Sequence, residues 1–344
     1  MKSLDKILLR SPNWVGDTVM ATPVSHLLRH NFPQAKIHIL AKPWVAPLWE
    51  NNPAVDKIII LDRKKDNDFL GWFKLVRSLQ QEKYNTIINL PNSFSSAWLS
   101  FWLGAKNNIG YATELRDLLL TKKLSWTSLE KITPRPAVYI KLLSLLNSGL
   151  VYSGNKWPFI VAAKEDELVK AEEILSTQGQ GLKIGLAPGA VAKSRRWPWE
   201  RYIQLSEILT SQGKQVIILG SKQDKVLADK ITVKLGNKVL NLAGKTTLRE
   251  AIAIIKKLDL LVSNDSGNVH LAYAQNIPVL VLRGAGDDRV TGPFGEKSFK
   301  LRADKVACAP CVRNVCPYKD FPCMTKITVK QVVDKIAEII AQSL

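Results

Sequence analysis

Long apolar runs are missing from this sequence. Its most apolar stretch, AWLSFWLGA at positions 97–105, falls far short of the roughly twenty residues a spanning helix needs. No secretory leader is expected either, because MKSLDKILLRSP carries Asp5 and Arg10 close to its apolar part. Cysteine is scarce: four residues in 344, all between positions 308 and 323. A cytoplasmic compartment is expected, with no disulfides holding the fold. Acid is under-supplied, with 30 Asp and Glu against 49 Lys and Arg and a formal net charge of +19. That balance points to an anionic partner: nucleic acid, an anionic membrane surface or a phosphorylated substrate. The cations come as scattered pairs and triplets, such as Arg63-Lys64-Lys65, Lys122-Lys123 and Arg195-Arg196. No zinc-finger, homeodomain or aromatic RNA-binding motif accompanies them, so nucleic acid is not the expected partner.

Other absences narrow the chemistry. No G-x-G-x-x-G follows the first apolar run, which weighs against a nicotinamide or flavin enzyme. AGKTT at 243–247 lacks the earlier glycine of a phosphate loop, because Val239 stands there. No Asp-x-Asp lies at a strand end, and Asp287-Asp288 falls in a loop without evident partners, so no metal site and no cofactor are expected. Repeats of 20 to 50 residues and low-complexity tracts are absent.

What is present is alternation. KILLRS, KIHILAK, DKIIILD, NTIINLP and NNIGYA read as strands in the first half. KIGLAPG, QVIILGS, KVLNLAG, LDLLVSNDS and VLVLRG read as strands in the second. Helix-length segments such as WERYIQLSEILTSQG separate most of them, which predicts parallel sheets covered on both faces. At 344 residues the chain fits two domains. We expect an α/β fold of two Rossmann-like domains, 1–165 and 178–327, joined near 155–180. The last stretch, 328–344, reads as a helix able to pack back across the joint.

Chemistry in such sheets gathers beyond the carboxyl ends of the strands. In the second half, NDSG ends a buried strand at Ser263 and a helix starts near Asn268. Helix N–H groups beside Ser266 and Gly267 would seat a diphosphate, with His270 in the first turn. Read alone, Asp265 or Ser266 is equally a plain N-cap, and His270 a core histidine. APGAVAKSRRWPWERY, 187–202, supplies Lys193, Arg195 and Arg196 ahead of a helix opened by Trp197-Pro198. In the first half, the loop after KILLRS holds Gly16 and a lone acid, Asp17.

Six motifs in order then make the chain recognisable: NWVGDTVMATP, LPNSFSSAW (90–98), GYATELRDLLLT (110–121), KSRRWPWERY, LAGKTTLREA and SNDSGNVHLA. Over nearly its whole length the sequence resembles the lipopolysaccharide heptosyltransferases of glycosyltransferase family 9, and among them the second-step type. The resemblance implies a GT-B fold, its parallel sheets facing across a cleft, and inverting transfer from ADP-heptose to the heptosyl-Kdo2-lipid A inner core. It implies Asp17 as general base, with Gly16 admitting the acceptor and the following helix lowering the carboxyl's pKa. On the donor side it implies Lys193, Arg195, Asp224, Thr246, Asp265, Ser266, Gly267 and His270. Asp224 matches the ribose position and AGKT (243–246) the adenine loop. Arg195 stands where many members have Lys, and RGAGDD (283–288) departs from the usual Gly-Pro-Thr-rich stretch. Asn92 and Ser93 fall on the acceptor side.

A membrane-bound acceptor would fit the basic charge and a peripheral site on the inner face of the cytoplasmic membrane. FLGWFKLVRSL (69–79) and NSFSSAWLSFW (92–102) are candidates for lipid or sugar contact, or for helix core. The cysteines, Cys308, Cys311, Cys316 and Cys323, have a metal-like first spacing, but the later gaps fit no zinc ribbon or finger, and a structural role without metal is expected. Two other functions stay open: another transfer step or nucleotide sugar within the family, and a non-catalytic polyanion- or membrane-binding protein.

Overall fold

In a computed structural model the described residues are 5–62, 69–146, 156–177, 180–318 and 320–343. The Arg63-Lys64-Lys65 triplet and positions 155, 178 and 179 of the expected joint lie outside them. The chain divides into two compact units, Met1–Val161 and Ala162–Leu344.

The first unit is a six-stranded sheet of β1 (Lys6–Arg10), β2 (Lys36–Ala41), β3 (Lys57–Ile60), β4 (Thr86–Asn89), β5 (Asn107–Ala112) and β6 (Lys122–Ser125). Its order is β3-β2-β1-β4-β5-β6, and every neighbour is parallel. Ile7, Leu8 and Leu9 of β1 are all buried, since successive side chains point to opposite faces and helices cover both.

The second unit repeats the plan with β7 (Lys183–Ala187), β8 (Gln215–Ile218), β9 (Val239–Asn241), β10 (Leu260–Asn264), β11 (Val279–Leu282) and β12 (Ser298–Leu301). The order is β12-β11-β10-β7-β8-β9, again all parallel. Helix Val329–Ser343 contributes Val332, Ile336 and Ile339 to this unit's core, beside Ile184, Leu205 and Leu280.

Both sheets therefore have the Rossmann order, counted within each unit as 3-2-1-4-5-6. The winding direction reverses between β1 and β4, and again between β7 and β10. Helices leave to opposite faces there, and a crevice opens beyond the strand ends. Apolar periodicity marks five strands per half; the sixth in each, β6 and β12, is an outer-edge strand.

Candidate active site

The crevice of the first unit is built around the loop after β1. Arg10, buried at the strand's end, donates from Nη1 to the Leu40 carbonyl (2.9 Å) and from Nη2 to Asn13 Oδ1 (3.3 Å). Thr18 Oγ1 donates to the Pro12 carbonyl, which closes the loop onto helix Val15–Asn31. Asp17 is in that helix's first turn, half-buried. Trp14 is the N-cap and has no side-chain cap bond, and Asp17's carboxylate accepts no hydrogen bond among the described residues. It is not serving as a cap.

Its pKa runs against expectation. The helix alone would lower it, but burial pushes the carboxyl above its ordinary value, with Arg135 opposing. The physical reason is packing: helix Arg135–Lys141 lies against helix Val15–Asn31, and desolvation of the charged form exceeds the stabilisation by helix N–H groups. Tyr139 of the same helix is buried, and its hydroxyl is pushed well above the usual value by that burial and by Asp17. Arg135 and Tyr139 escape a reading of the sequence, because a helix more than a hundred residues away gives no local sign of where it packs.

Gly16 shares this turn. Asn92 and Ser93 follow β4, the strand beside β1, so both candidate loops lie at one switch point. Buried Arg116 fixes the second loop, donating to the carbonyls of Pro91 and Ser93 and to Ser96 Oγ. Asn92 Oδ1 is buried without a partner among the described residues, an acceptor left open at the strand's end.

The second unit's crevice joins the loops after β7 and β10. Asn264 ties them: its Nδ2 donates to the Pro188 carbonyl (2.6 Å), while Oδ1 accepts from the Trp197 N–H and the Tyr202 hydroxyl (both 3.1 Å). Helix Gly267–Ala274 starts from Ser266, whose hydroxyl makes no cap bond and lies 3.2 Å from Ser263 Oγ. The first N–H groups of any helix lack helical partners, so this turn presents donors.

Asp265 is buried between two guanidiniums. Arg283 Nη1 donates to its Oδ1 (2.9 Å), and Arg195 Nη1 approaches its Oδ2 (3.2 Å). Asp265 thus holds a cation at the donor turn. Arg283, at the end of β11, escapes the sequence reading, although an arginine closing the apolar run VLVL was the available signal. It is 1% exposed, and its pKa is lowered chiefly by burial. The expectation that Asp287-Asp288 lacks partners is corrected. Asp288 pairs with Arg283, Lys300 and Arg302, and Asp287 pairs with Arg289. Gly286 permits this closure, since a Cβ there would stand 2.2 Å from Asp265 Oδ2.

His270 is buried, with Nδ1 2.9 Å from the Tyr273 hydroxyl. Burial brings its pKa down to about 4, so it is neutral at physiological pH. Lys193 is exposed in the turn Lys193–Arg195, which is held by Ser194 Oγ donating to the Arg313 carbonyl. Asp224, after β8, accepts from the Ser221 N–H and hydroxyl and reaches over Gly189, where a Cβ would stand 2.2 Å from its Oδ1. Thr246 follows β9, two strands from β7, farther from the switch point than the rest. The cysteines are unpaired, and among the described residues no group of three or more His, Cys, Asp or Glu is placed to hold a metal.

Residues 72–321 match the profile of glycosyltransferase family 9 (heptosyltransferase). The chain belongs to this family. Lipopolysaccharide heptosyltransferase 2 of Escherichia coli (strain K12) is 29% identical over 315 residues, spanning 86% of this chain and 88% of the relative. Lipooligosaccharide heptosyltransferase 2 of Haemophilus influenzae is 30% identical over 310 residues, with the same coverage of 86% and 88%. The solved structure of E. coli ADP-heptose lipopolysaccharide heptosyltransferase II matches with a TM-score of 0.82 at 27% identity, over 98% of this chain and 99% of that one. This glycosyltransferase accordingly has the GT-B fold, its two Rossmann-like domains being the sheets described above. No helix among its described residues is long and apolar enough to cross a membrane.

Proposed function

We propose that this transferase moves L-glycero-D-manno-heptose from ADP-heptose to the heptosyl-Kdo2-lipid A inner core, with inversion and without a metal. Asp17 takes the proton from the acceptor hydroxyl as that oxygen attacks the anomeric carbon. The bond from that carbon to the diphosphate oxygen breaks, and ADP leaves with the electron pair. Lys193, Arg195 and the N–H groups opening helix Gly267–Ala274 offset the charge developing on the diphosphate. Neutral His270 donates or accepts a hydrogen bond there and adds no charge. The enzyme works in the cytoplasm, peripheral at the inner face of the membrane that holds its acceptor.

The observation that carries this reading is the carboxylate of Asp17: half-buried at a switch point, without a hydrogen-bond partner among the described residues, and with its pKa raised by burial, as suits a general base. The test supplies purified protein with ADP-heptose and two defined acceptors, Kdo2-lipid A and its heptosylated form. Transfer to the heptosylated acceptor is expected. Transfer only to the shorter acceptor reassigns the step; transfer from other nucleotide sugars alone overturns the donor.

A further inference from the structure

Helix Phe94–Trp102 of the first domain turns its aromatic side chains outward. Four of its nine residues, Phe94, Trp98, Phe101 and Trp102, are aromatic and 40–49% exposed. They touch in series: Phe94 stacks on Trp98 at 6.0 Å, and Trp98 meets Trp102 edge-on at 5.7 Å. Trp72 of helix Phe69–Gln81 continues the row against Trp102 at 5.9 Å, and Gln80 Nε2 donates to the Trp102 carbonyl. That second helix adds exposed Leu70 and Phe73.

This ridge is not unfinished core. The opposite faces of the two helices already supply Val76, Leu79, Leu99 and Leu103 to a packed cluster with Leu8 and Ile87. Exposed apolar residues on a soluble surface are normally scattered singly, and a contiguous set marks an interaction site.

Charge names the occupant. Neither helix contains an acid, while Lys74 and Arg77 are exposed on one and Lys106 lies beside the other. Of the flanking acids, Glu82 is paired with Lys6 and Lys57, and Glu114 accepts from the Phe94 N–H, so cations prevail on this face. Aromatics among cations are what the headgroup region of an anionic bilayer accepts. A symmetric contact with a second copy would set these cations against themselves. Position agrees as well. The ridge begins at Phe94, just beyond the carboxyl end of β4, beside the strand whose end leads to Asp17. Docking there brings the base's edge of the sheet to the lipid surface, where a lipid-linked acceptor presents its sugar.

We propose that helices Phe69–Gln81 and Phe94–Trp102 form the face on which the protein lies against an anionic phospholipid bilayer. The proposal rests on the peripheral, lipid-linked reading of the function. The parent protein, the Trp98→Ser/Phe101→Ser variant and the Lys74→Glu/Arg77→Glu variant are sedimented with vesicles of phosphatidylethanolamine and phosphatidylglycerol, or of phosphatidylcholine alone. Each is also assayed on detergent-dispersed acceptor and checked by thermal melting.

The parent should bind the anionic vesicles and lose binding as salt rises. The aromatic variant should bind at least about tenfold more weakly, and the charge variant about fivefold per side chain. Melting and detergent-phase transfer should be unchanged. Parent-like vesicle binding by both variants overturns the face, as does a parent that transfers sugar but ignores anionic vesicles. A loss of self-association in place of vesicle binding reassigns the ridge to a protein contact and likewise overturns it. Ridge-dependent vesicle binding by a parent inactive on every acceptor upholds the face and fails the transferase reading.

Discussion

Asp17 holds the third position of its helix, where an acid ordinarily reaches back to the N-cap N–H. Here the carboxylate makes no such bond and is desolvated beside Arg135 and Tyr139. Two consequences follow at the residue scale. Asp17→Asn should lower turnover by about 10²–10⁴-fold, the usual worth of a general base, with donor affinity barely changed. Equilibrium binding of the nucleotide sugar and single-turnover rates check this, and near-parent turnover would return Asp17 to a structural role. The same variant should melt no lower than the parent at neutral pH. Because the carboxyl's folded pKa lies above its unfolded value, the folded state favours the protonated form. The stability this contributes is present at acid pH and lost as pH rises through the folded value. An amide removes that loss. Activity has the opposite dependence: kcat/KM should fall as pH drops through a pKa above the ordinary 3.8, because a protonated Asp17 accepts nothing. His270, at about 4 and neutral above it, adds no step near its ordinary 6.5.

At the element scale, the ends of β10 and β11 act together through Asp265 and Arg283. The pair is almost wholly buried, and removing Arg283 leaves buried Asp265 with Arg195 as its one remaining cation among the described residues. Arg283→Met should cost about 3–5 kcal/mol in urea unfolding and raise the donor's KM by drawing Arg195 onto Asp265 and away from the diphosphate. A variant of parental stability would show that Asp265 is satisfied elsewhere. The strands were legible where both faces are covered, since KILLR and LLVSN read as near-continuous apolar runs. β6 and β12, KKLS and SFKL, were not. They sit at sheet edges, only partly buried, and lysines there face solvent on one side. Lys122-Lys123, read as a basic pair, lies in such a strand.

Over the whole molecule, +19 is too large to be explained by one diphosphate site. Much of it is distributed surface, and some of it braces the fold locally, since Arg116 holds a loop while Lys300 and Arg302 pair with Asp288. Cationic side chains and a helix terminus are assigned the leaving diphosphate here. Full transfer in excess chelator is therefore expected in a product assay, and loss restored by Mg²⁺ would sink that assignment.

What the sequence determined by itself was local: the alternation of apolar runs and amphipathic helices, the Gly-Asp turn after the first strand, the Ser-Gly turn opening a helix, and six motifs in order. These depend on neighbours within a few residues, where periodicity and turn chemistry operate. Only the tertiary structure decided the strand order that sets the loop of Asp17 beside that of Asn92 and Ser93, the burial that raises Asp17's pKa, and the closing of Arg283 on Asp265. Each joins segments distant in the chain, and desolvation depends on everything packed around a charge, which no local pattern encodes.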